Sequence, residues 1–288
     1  MRKLITLFAV IFALLLGFLI PSFNEASAGD SYDGHMVIGK NYLVKGSYDK
    51  ANFEFTMALK LKPNSAEALI ERGTTYNQLG DYQKAIEDFS KAITLSNKNY
   101  LAFNNRGVAY FRSGEVHKAI EDLQKAISLN SKDPFARLNY AGALLSIDRG
   151  AGAAKSLSTW LSQGDWKGNY AGHAAVLTVL GFQQAGLVDD ASGTLKTALG
   201  RVNRLEWPYP VLKFLDGKLK ADELLAEAKD SDYDTTQANC FIALKLLNSK
   251  QPKQAEERLV WLVKYGTKNS VEYWLGKNLI EKKLKKKV

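Results

Sequence analysis

The sequence predicts an all-α solenoid: a right-handed superhelix of antiparallel helix pairs, followed by a divergent helical C-terminal region. Residues recur with a period of 34 along the first half of the chain, which indicates stacked helical pairs. Long stretches combine Ala, Leu, Glu, Lys and Gln, which favour helices, and only 6 of the 288 residues are Pro. The alternating apolar and polar runs that predict strands are missing from the sequence.

The 34-residue period recurs at six positions in three consecutive units. Small residues suit places where paired helices approach closely, and bulky residues fill the space beside them. A glycine at mid-unit is suited to end the first helix of each pair, because glycine tolerates the left-handed conformation. The recurring positions are Gly39, Gly73 and Gly107; Tyr42, Tyr76 and Tyr110; Gly46, Gly80 and Gly114; Ala51, Ala85 and Ala119; Phe55, Phe89 and Leu123; and Ala58, Ala92 and Ala126.

This pattern resembles the tetratricopeptide repeat (TPR), and the resemblance implies a protein-binding scaffold. The later segments are similar to those of NlpI-type bacterial envelope TPR proteins: Trp207, then residues 214–217, then residues 224–225. That second resemblance implies a role in envelope or peptidoglycan maintenance. The sequence departs from the NlpI type because no Cys follows the N-terminal apolar run, so anchoring by an attached lipid does not carry over.

The repeats and their irregularities divide the chain into five predicted segments. We predict a signal peptide over residues 1–28, four TPR repeats over 32–165, a degenerate fifth repeat over 168–205, a helical region with a repeat-like pair over 206–280, and a basic tail over 281–288.

The first residues have the features of a secretory signal. Arg2 and Lys3 precede an unbroken run of apolar or small residues over positions 4–20, and Ala26 and Ala28 form an A-x-A pattern before Gly29. We therefore expect cleavage after Ala28 and a periplasmic or secreted protein. An uncleaved segment that anchors the chain is the alternative, since a run of this length is at the lower limit for spanning a bilayer.

The TPR resemblance also implies where partners bind. In this family the residues that face the concave groove lie on the first helix of each pair. Amides, apolar side chains and a guanidinium at these positions suit an extended peptide or a helix of a partner protein, although about half of such residues are expected to pack between units. The predicted groove residues are Lys40, Thr74, Asn77, Gln78, Asn104, Asn105, Val108, Phe111, Arg112 and Asn139.

The charge of the chain suggests an alternative function. Loss of residues 1–28 removes two basic residues and one acidic residue, which lowers the formal net charge from +9 to +8. Much of the excess lies near the C-terminus, where the lysines suit weak docking on an anionic membrane or another polyanion. The alternative interpretation is that these lysines only form the solvent-exposed end of a helix and bind nothing. The lysines of this basic tail are Lys282, Lys283, Lys285, Lys286 and Lys287.

The sequence offers little chemistry. His35, His117 and His173 are scattered, so no metal site and no cofactor are predicted. The acid pairs 87–88 and 121–122 are separated by one period of the repeat and are predicted to be solvated carboxylates on second helices. No nucleophile motif or phosphate loop appears, so an enzyme is not expected.

The lysine tail has no interleaved aromatic residues, which disfavours binding of nucleic acid. Cys240 is predicted to be a buried apolar residue.

Overall fold

The computed structural model describes residues 31–164, 166 and 170–285, with side chains placed as far as Lys282. In this part of the chain every regular element is a helix, which confirms the predicted all-α class. The helices are α1 (Tyr32–Val44), α2 (Tyr48–Leu61), α3 (Ala66–Leu79), α4 (Tyr82–Leu95), α5 (Tyr100–Ser113), α6 (Val116–Leu129), α7 (Pro134–Ser146), α8 (Gly150–Gln163), α9 (Ala171–Gln184), α10 (Val188–Arg201), α11 (Tyr209–Leu215), α12 (Ala221–Ala228), α13 (Asp232–Asn248), α14 (Pro252–Tyr265) and α15 (Val271–Lys285).

The helices belong to two compact units. Unit 1 ends at Asn97 and contains α1 to α4, while unit 2 begins at Lys98 and contains α5 to α15. In unit 1, α1 packs on α2, α2 on α3, and α3 on α4. In unit 2, each helix from α5 to α10 packs on the next. Helices that follow one another through short turns and pack together form the antiparallel pairs that the period predicts.

The core of each early pair is a bulky side chain set against a glycine. Phe89 is fully buried, and a Cβ placed on Gly73 would lie 2.8 Å from its ring. Leu123 takes the same place over Gly107 in unit 2, also at 2.8 Å. Helices that approach this closely leave no room for a side chain at the small position, so the periodic glycines set the spacing within each pair.

The mid-unit glycines end the first helices as the sequence predicts. Gly46, Gly80 and Gly114 have φ angles of 71°, 84° and 87°. These angles lie in the left-handed region, which a side chain makes costly. Each turn therefore depends on its glycine to reverse the chain into the second helix.

The C-terminal region of unit 2 departs from the simple stack. Two short helices, α11 and α12, follow the break near Trp207, and α13 and α14 then form another pair. The last helix, α15, contacts α7, α13 and α14. Because α7 lies far earlier in the chain, α15 folds back onto the repeats of unit 2.

Two acidic residues that the sequence assigns to solvated surfaces are buried, so that prediction was wrong for Asp88 and Asp122. In unit 1, Arg72 donates to both carboxylate oxygens of Asp88 at 2.8 Å. In unit 2, Arg106 donates to Asp122 in the same way at 2.7 and 2.8 Å. Hydrogen bonding to these carboxylates raises the pKa of both guanidiniums. We call each of these two-bond Arg–Asp pairs a fork. Each fork joins the first helix of a pair to the second, and its two hydrogen bonds offset the cost of burying the carboxylate.

Candidate partner-binding surface

In unit 1 the predicted groove residues lie on α1 and α3, which contact each other. Lys40 on α1 donates to Glu67 Oε1 on α3 at 2.6 Å. That hydrogen bond raises the pKa of Lys40, while burial raises the pKa of the neighbouring Glu71 carboxyl against the opposing charge of Lys40. The pair is largely exposed, so it crosses from α1 to α3 on a surface open to solvent.

The remaining predicted residues of unit 1 follow on the same side of α3. Thr74 is partly buried and donates to the Ile70 carbonyl oxygen at 2.8 Å. Gln78, one turn further along α3, is also partly buried, and Asn77 beside it is almost fully buried. Thr74 and Gln78 therefore keep polar atoms within reach of a partner, while Asn77 mainly packs.

In unit 2 three of the predicted residues form one hydrogen-bonded row. Asn104 on α5 donates through Nδ2 to Asn105 Oδ1 at 3.0 Å. Asn139 on α7 donates to Asn104 Oδ1 at 3.3 Å. The bond between Asn139 and Asn104 joins the first helices of successive repeats. Asn104 itself is buried, as Asn77 is, so Asn105 and Asn139 are the partly exposed members of the row.

The end of α5 is covered by α15. Phe111 is 2% exposed, and its carbonyl oxygen accepts a hydrogen bond from Asn278 Nδ2 at 3.1 Å. The Arg112 guanidinium lies 5.7 Å from the ring centre of Trp274. Val108, one turn earlier on α5, is partly buried. The part of the groove that the sequence assigns to Phe111 and Arg112 therefore holds a segment of the chain itself.

A cavity remains where α15 passes the ends of the repeats. It has a volume of about 400 Å³ and lies between the turn after α5, the turn after α7 and the C-terminal part of α15. His117, Ser146 and Asn278 are among the side chains that line it. The packing of α15 is thus incomplete toward its C-terminus.

The basic tail is only partly described. Lys282 Nζ lies 2.5 Å from Asp148 Oδ2, in the turn that follows α7. This lysine is therefore paired with the repeats of unit 2. The side chains of Lys283 and Lys285, and the whole of Lys286 and Lys287, lie outside the described residues, as do the predicted cleavage residues Ala26, Ala28 and Gly29.

We next consider the histidines and the cysteine, the other residues whose side chains could take part in chemistry. His35 Nδ1 lies 2.7 Å from Glu54 Oε2, and His173 Nε2 lies 3.1 Å from Gln237 Oε1. His117 is exposed on α6. Cys240 is fully buried, as predicted, and this burial raises the pKa of its thiol, with the charge of Glu272 adding to the effect. A thiol in this setting is a poor nucleophile.

Two kinds of feature are absent from the described residues. They contain no group of three or more His, Cys, Asp and Glu side chains arranged to hold a metal ion. Among the fifteen helices given above, none combines the length and the apolar character that crossing a bilayer requires.

Sequence reasoning missed the residues of α15 that contact the groove. Val271, Trp274, Asn278 and Lys282 are spaced by three or four positions, so they lie on one face of the helix. The sequence shows this spacing, but it does not show which surface the face covers. The contact between α15 and the end of α5 joins residues that are far apart in the sequence: Asn278 and Phe111 are separated by 167 positions.

Antiparallel helix pairs with short turns, glycine-spaced cores and first helices that share a surface define a helical-repeat solenoid. Sequence models described as "TPR repeat" and "Tetratricopeptide repeat" match residues 54–87, 73–114 and 100–133. These matches show tetratricopeptide repeats over residues 54–133 of the chain.

Solved structures with similar folds include three of interest. A protein named MamA is 28% identical, with a TM-score of 0.53 over 60% of this chain and 92% of that one. A TPR protein from Parabacteroides merdae is 17% identical, with a TM-score of 0.56 over 88% of this chain and 100% of that one. YrrB is 19% identical, with a TM-score of 0.52 over 66% and 93%.

The last two structures show the fold alone. YrrB is described as a TPR protein with an unusual peptide-binding site. A comparison with curated proteins found no match. None of these findings tests the resemblance to NlpI-type proteins, which stays a prediction.

Proposed function

We propose that this protein is an exported scaffold that binds segments of partner proteins on the first helices of its repeats. The observation that carries the proposal is the hydrogen bond from Asn139 to Asn104, since it joins successive first helices and has the partly exposed amides of Asn105 and Asn139 on either side of it. Amides on such a surface can bond to the backbone of a bound segment. The peptide-binding site named for YrrB supports binding of this kind.

Unit 1 offers a candidate binding surface of its own. Lys40, Thr74 and Gln78 keep solvent access on α1 and α3. Their charge, hydroxyl and amide suit a polar segment of a partner. We therefore assign to this surface the recognition of partner proteins, because its exposed groups are ones that form hydrogen bonds and ion pairs.

The proposed place of action is the bacterial envelope. The basic residues, the apolar run and the small residues before Gly29 support export. The resemblance to NlpI-type proteins favours a task in envelope or peptidoglycan maintenance.

Export gives a direct prediction. When the full chain is expressed in a bacterial host with a C-terminal tag, mass spectrometry of the purified protein is expected to find Gly29 as its first residue. A chain with Ala28 replaced by a bulky residue, Ala28→Trp, serves as the control and is expected to remain uncut at this position. Recovery of an intact N-terminus from the unaltered chain would support a retained anchor instead.

Partner binding is tested by affinity capture from native envelope extract. The full chain is compared with two variants of the proposed surface, Lys40→Ala/Thr74→Ala/Gln78→Ala in unit 1 and Asn105→Ala/Val108→Ala/Asn139→Ala in unit 2. We expect partners of the unaltered chain to be lost from at least one of them, because their contacts have been removed.

A matched control carries three changes on exposed second-helix positions, Lys60→Ala/Gln83→Ala/Glu87→Ala, and is expected to keep every partner. Circular dichroism checks that all four proteins are equally helical. If both surface variants keep all partners, the groove proposal is wrong. In that case, partners that dissociate as salt rises would point to the basic tail.

A further inference from the structure

A cavity of about 310 Å³ lies in the C-terminal region of unit 2, between α11, α12, α13 and α14. Helix α13 contacts each of the other three helices, so the cavity belongs to the packed part of this region. Its volume falls in the lower part of the range that small-molecule sites occupy. None of the residues of the proposed partner-binding surface lines it, so it is a separate feature of the chain.

One wall of the cavity is apolar. Phe214 at the end of α11 and Ile242 on α13 are 6% and 1% exposed. Leu246 on α13 and Ala221 at the start of α12 are partly buried and complete the wall. Residues 242 and 246 are one helical turn apart, so their side chains lie on the same side of α13. A wall of this kind favours the hydrocarbon part of a ligand.

Lys245 places a partly buried ammonium beside this wall. Its Nζ donates to the Phe214 carbonyl oxygen at 2.6 Å and lies 4.2 Å from the centre of the Phe214 ring. Within the described residues no carboxylate forms an ion pair with Lys245, and the carboxylate of Asp216 pairs with Lys218 at 2.6 Å instead. Burial lowers the pKa of Lys245, and the charge of Asp216 opposes this only in part. An ammonium has three donors, so two remain after the bond to Phe214.

Arg258 on α14 brings a second cation to the same cavity. Its Nη2 lies 3.8 Å from Asp222 Oδ1, and the Asp222 side chain is 95% exposed. A loose pair of this kind contributes little, so it does not hold the guanidinium away from a ligand. The lining also contains Glu257, whose side chain is exposed. Two positive charges and one negative charge therefore line the cavity.

We propose that this cavity binds a small amphiphilic carboxylate, with its hydrocarbon part against the apolar wall and its carboxylate between Lys245 and Arg258. The carboxylate supplies the opposite charge that the partly buried ammonium lacks, and it accepts hydrogen bonds from the guanidinium. The volume suits a short chain or a single ring. The bond of Lys245 to the end of α11 explains one of its donors but not the second cation over the same wall. This inference goes beyond the proposed function, because it assigns a ligand to a region outside the repeats.

The probe is radiolabelled octanoate, and its binding to the full chain is measured by equilibrium dialysis. Two molecules with the same hydrocarbon chain, 1-octanol and octylamine, separate the effect of charge from that of apolar contact. We expect octanoate to bind saturably below about 1 mM and 1-octanol to bind at least tenfold more weakly, because only octanoate can pair with the cations. Octylamine is expected to bind more weakly still, since its ammonium meets two like charges.

Three variants locate the bound octanoate. The variant Ala221→Phe fills the cavity without changing a charge, Arg258→Gln removes the guanidinium and Lys245→Met removes the ammonium. Each is expected to weaken octanoate binding at least tenfold. Because Lys245→Met also removes the bond to Phe214, circular dichroism checks that every variant is folded. The matched control is Lys229→Met, which changes an exposed lysine outside the cavity and is expected to bind octanoate like the unaltered chain.

Acetylation of lysines by a water-soluble reagent, followed by mass spectrometry, gives an independent reading. Bound octanoate is expected to slow the labelling of Lys245 at least fivefold at saturation, because it covers the ammonium, and to leave the labelling of Lys229 unchanged.

Four results would overturn the inference. They are absence of saturable octanoate binding below about 1 mM, equal binding of octanoate and 1-octanol, unchanged binding by the folded Ala221→Phe and Arg258→Gln variants, and equal protection of Lys245 and Lys229 from acetylation.

Discussion

Replacing Phe89 with Ala is expected to lower the free energy of unfolding of unit 1 by about 4 kcal/mol. The ring is fully buried and fills the space over Gly73, which has no side chain of its own to contribute. Removal of the ring leaves a cavity between α3 and α4 that neither helix can fill, since their spacing is set by the backbone contact.

The variant Phe89→Leu is the matched control. Unit 2 already uses this solution, with Leu123 over Gly107, so the loss is expected to be only about 1 kcal/mol. Hydrogen–deuterium exchange of the amides of α3 and α4 gives the free energy of opening for both variants, because it reads local stability. Equal losses for Ala and Leu would show that the ring does not fill the space as described.

Replacing Asp122 with Ala is expected to destabilise unit 2 by about 3 kcal/mol, because Arg106 is then left partly buried without its partner. Both bonds of the fork are short, at 2.7 and 2.8 Å, and the Asp122 side chain is 10% exposed. The expected loss is measured by urea denaturation followed by circular dichroism.

Two controls separate the charge from the shape. The double variant Arg106→Leu/Asp122→Leu is expected to lose less than Asp122→Ala, since it leaves no buried charge unpaired. The variant Glu115→Ala breaks the exposed pair with Lys118 on the same helix pair and is expected to leave stability almost unchanged. A loss from Asp122→Ala no larger than that from Glu115→Ala would contradict the prediction.

The regular part of the fold could be predicted because its determinants repeat. The glycines and bulky residues at a spacing of 34 locate α1 to α6 and their turns, and Gly46, Gly80 and Gly114 have the left-handed angles that the pattern requires. Local geometry of this kind depends on residues that are neighbours in sequence or recur at a fixed interval.

The ion pairs were open to prediction but were missed. Asp88 and Asp122 recur at the period, and so do Arg72 and Arg106, each at the same interval before its partner in the chain. Acidic residues on a helix face are usually solvated. The joint recurrence of an Arg and an Asp was the observation that distinguishes a buried pair from a solvated carboxylate.

The candidate surface was predictable only in part. The resemblance located Asn104, Asn105 and Asn139 on first helices, and two hydrogen bonds join them in the structure. The cover over Phe111 and Arg112 was not predictable, because the spacing of Trp274 and Asn278 identifies a face but not the distant surface that it meets. Contacts of this kind are decided by the packing of the whole unit.

The return of α15 to α5 also sets an order of events during synthesis. Phe111 and Asn278 are 167 residues apart, so the ribosome completes every repeat before it makes the helix that covers them. The repeats rest on contacts between neighbouring segments, whereas α15 docks through contacts that are distant in sequence and that form later. The surface at the end of α5 is therefore open to water until α15 docks on it.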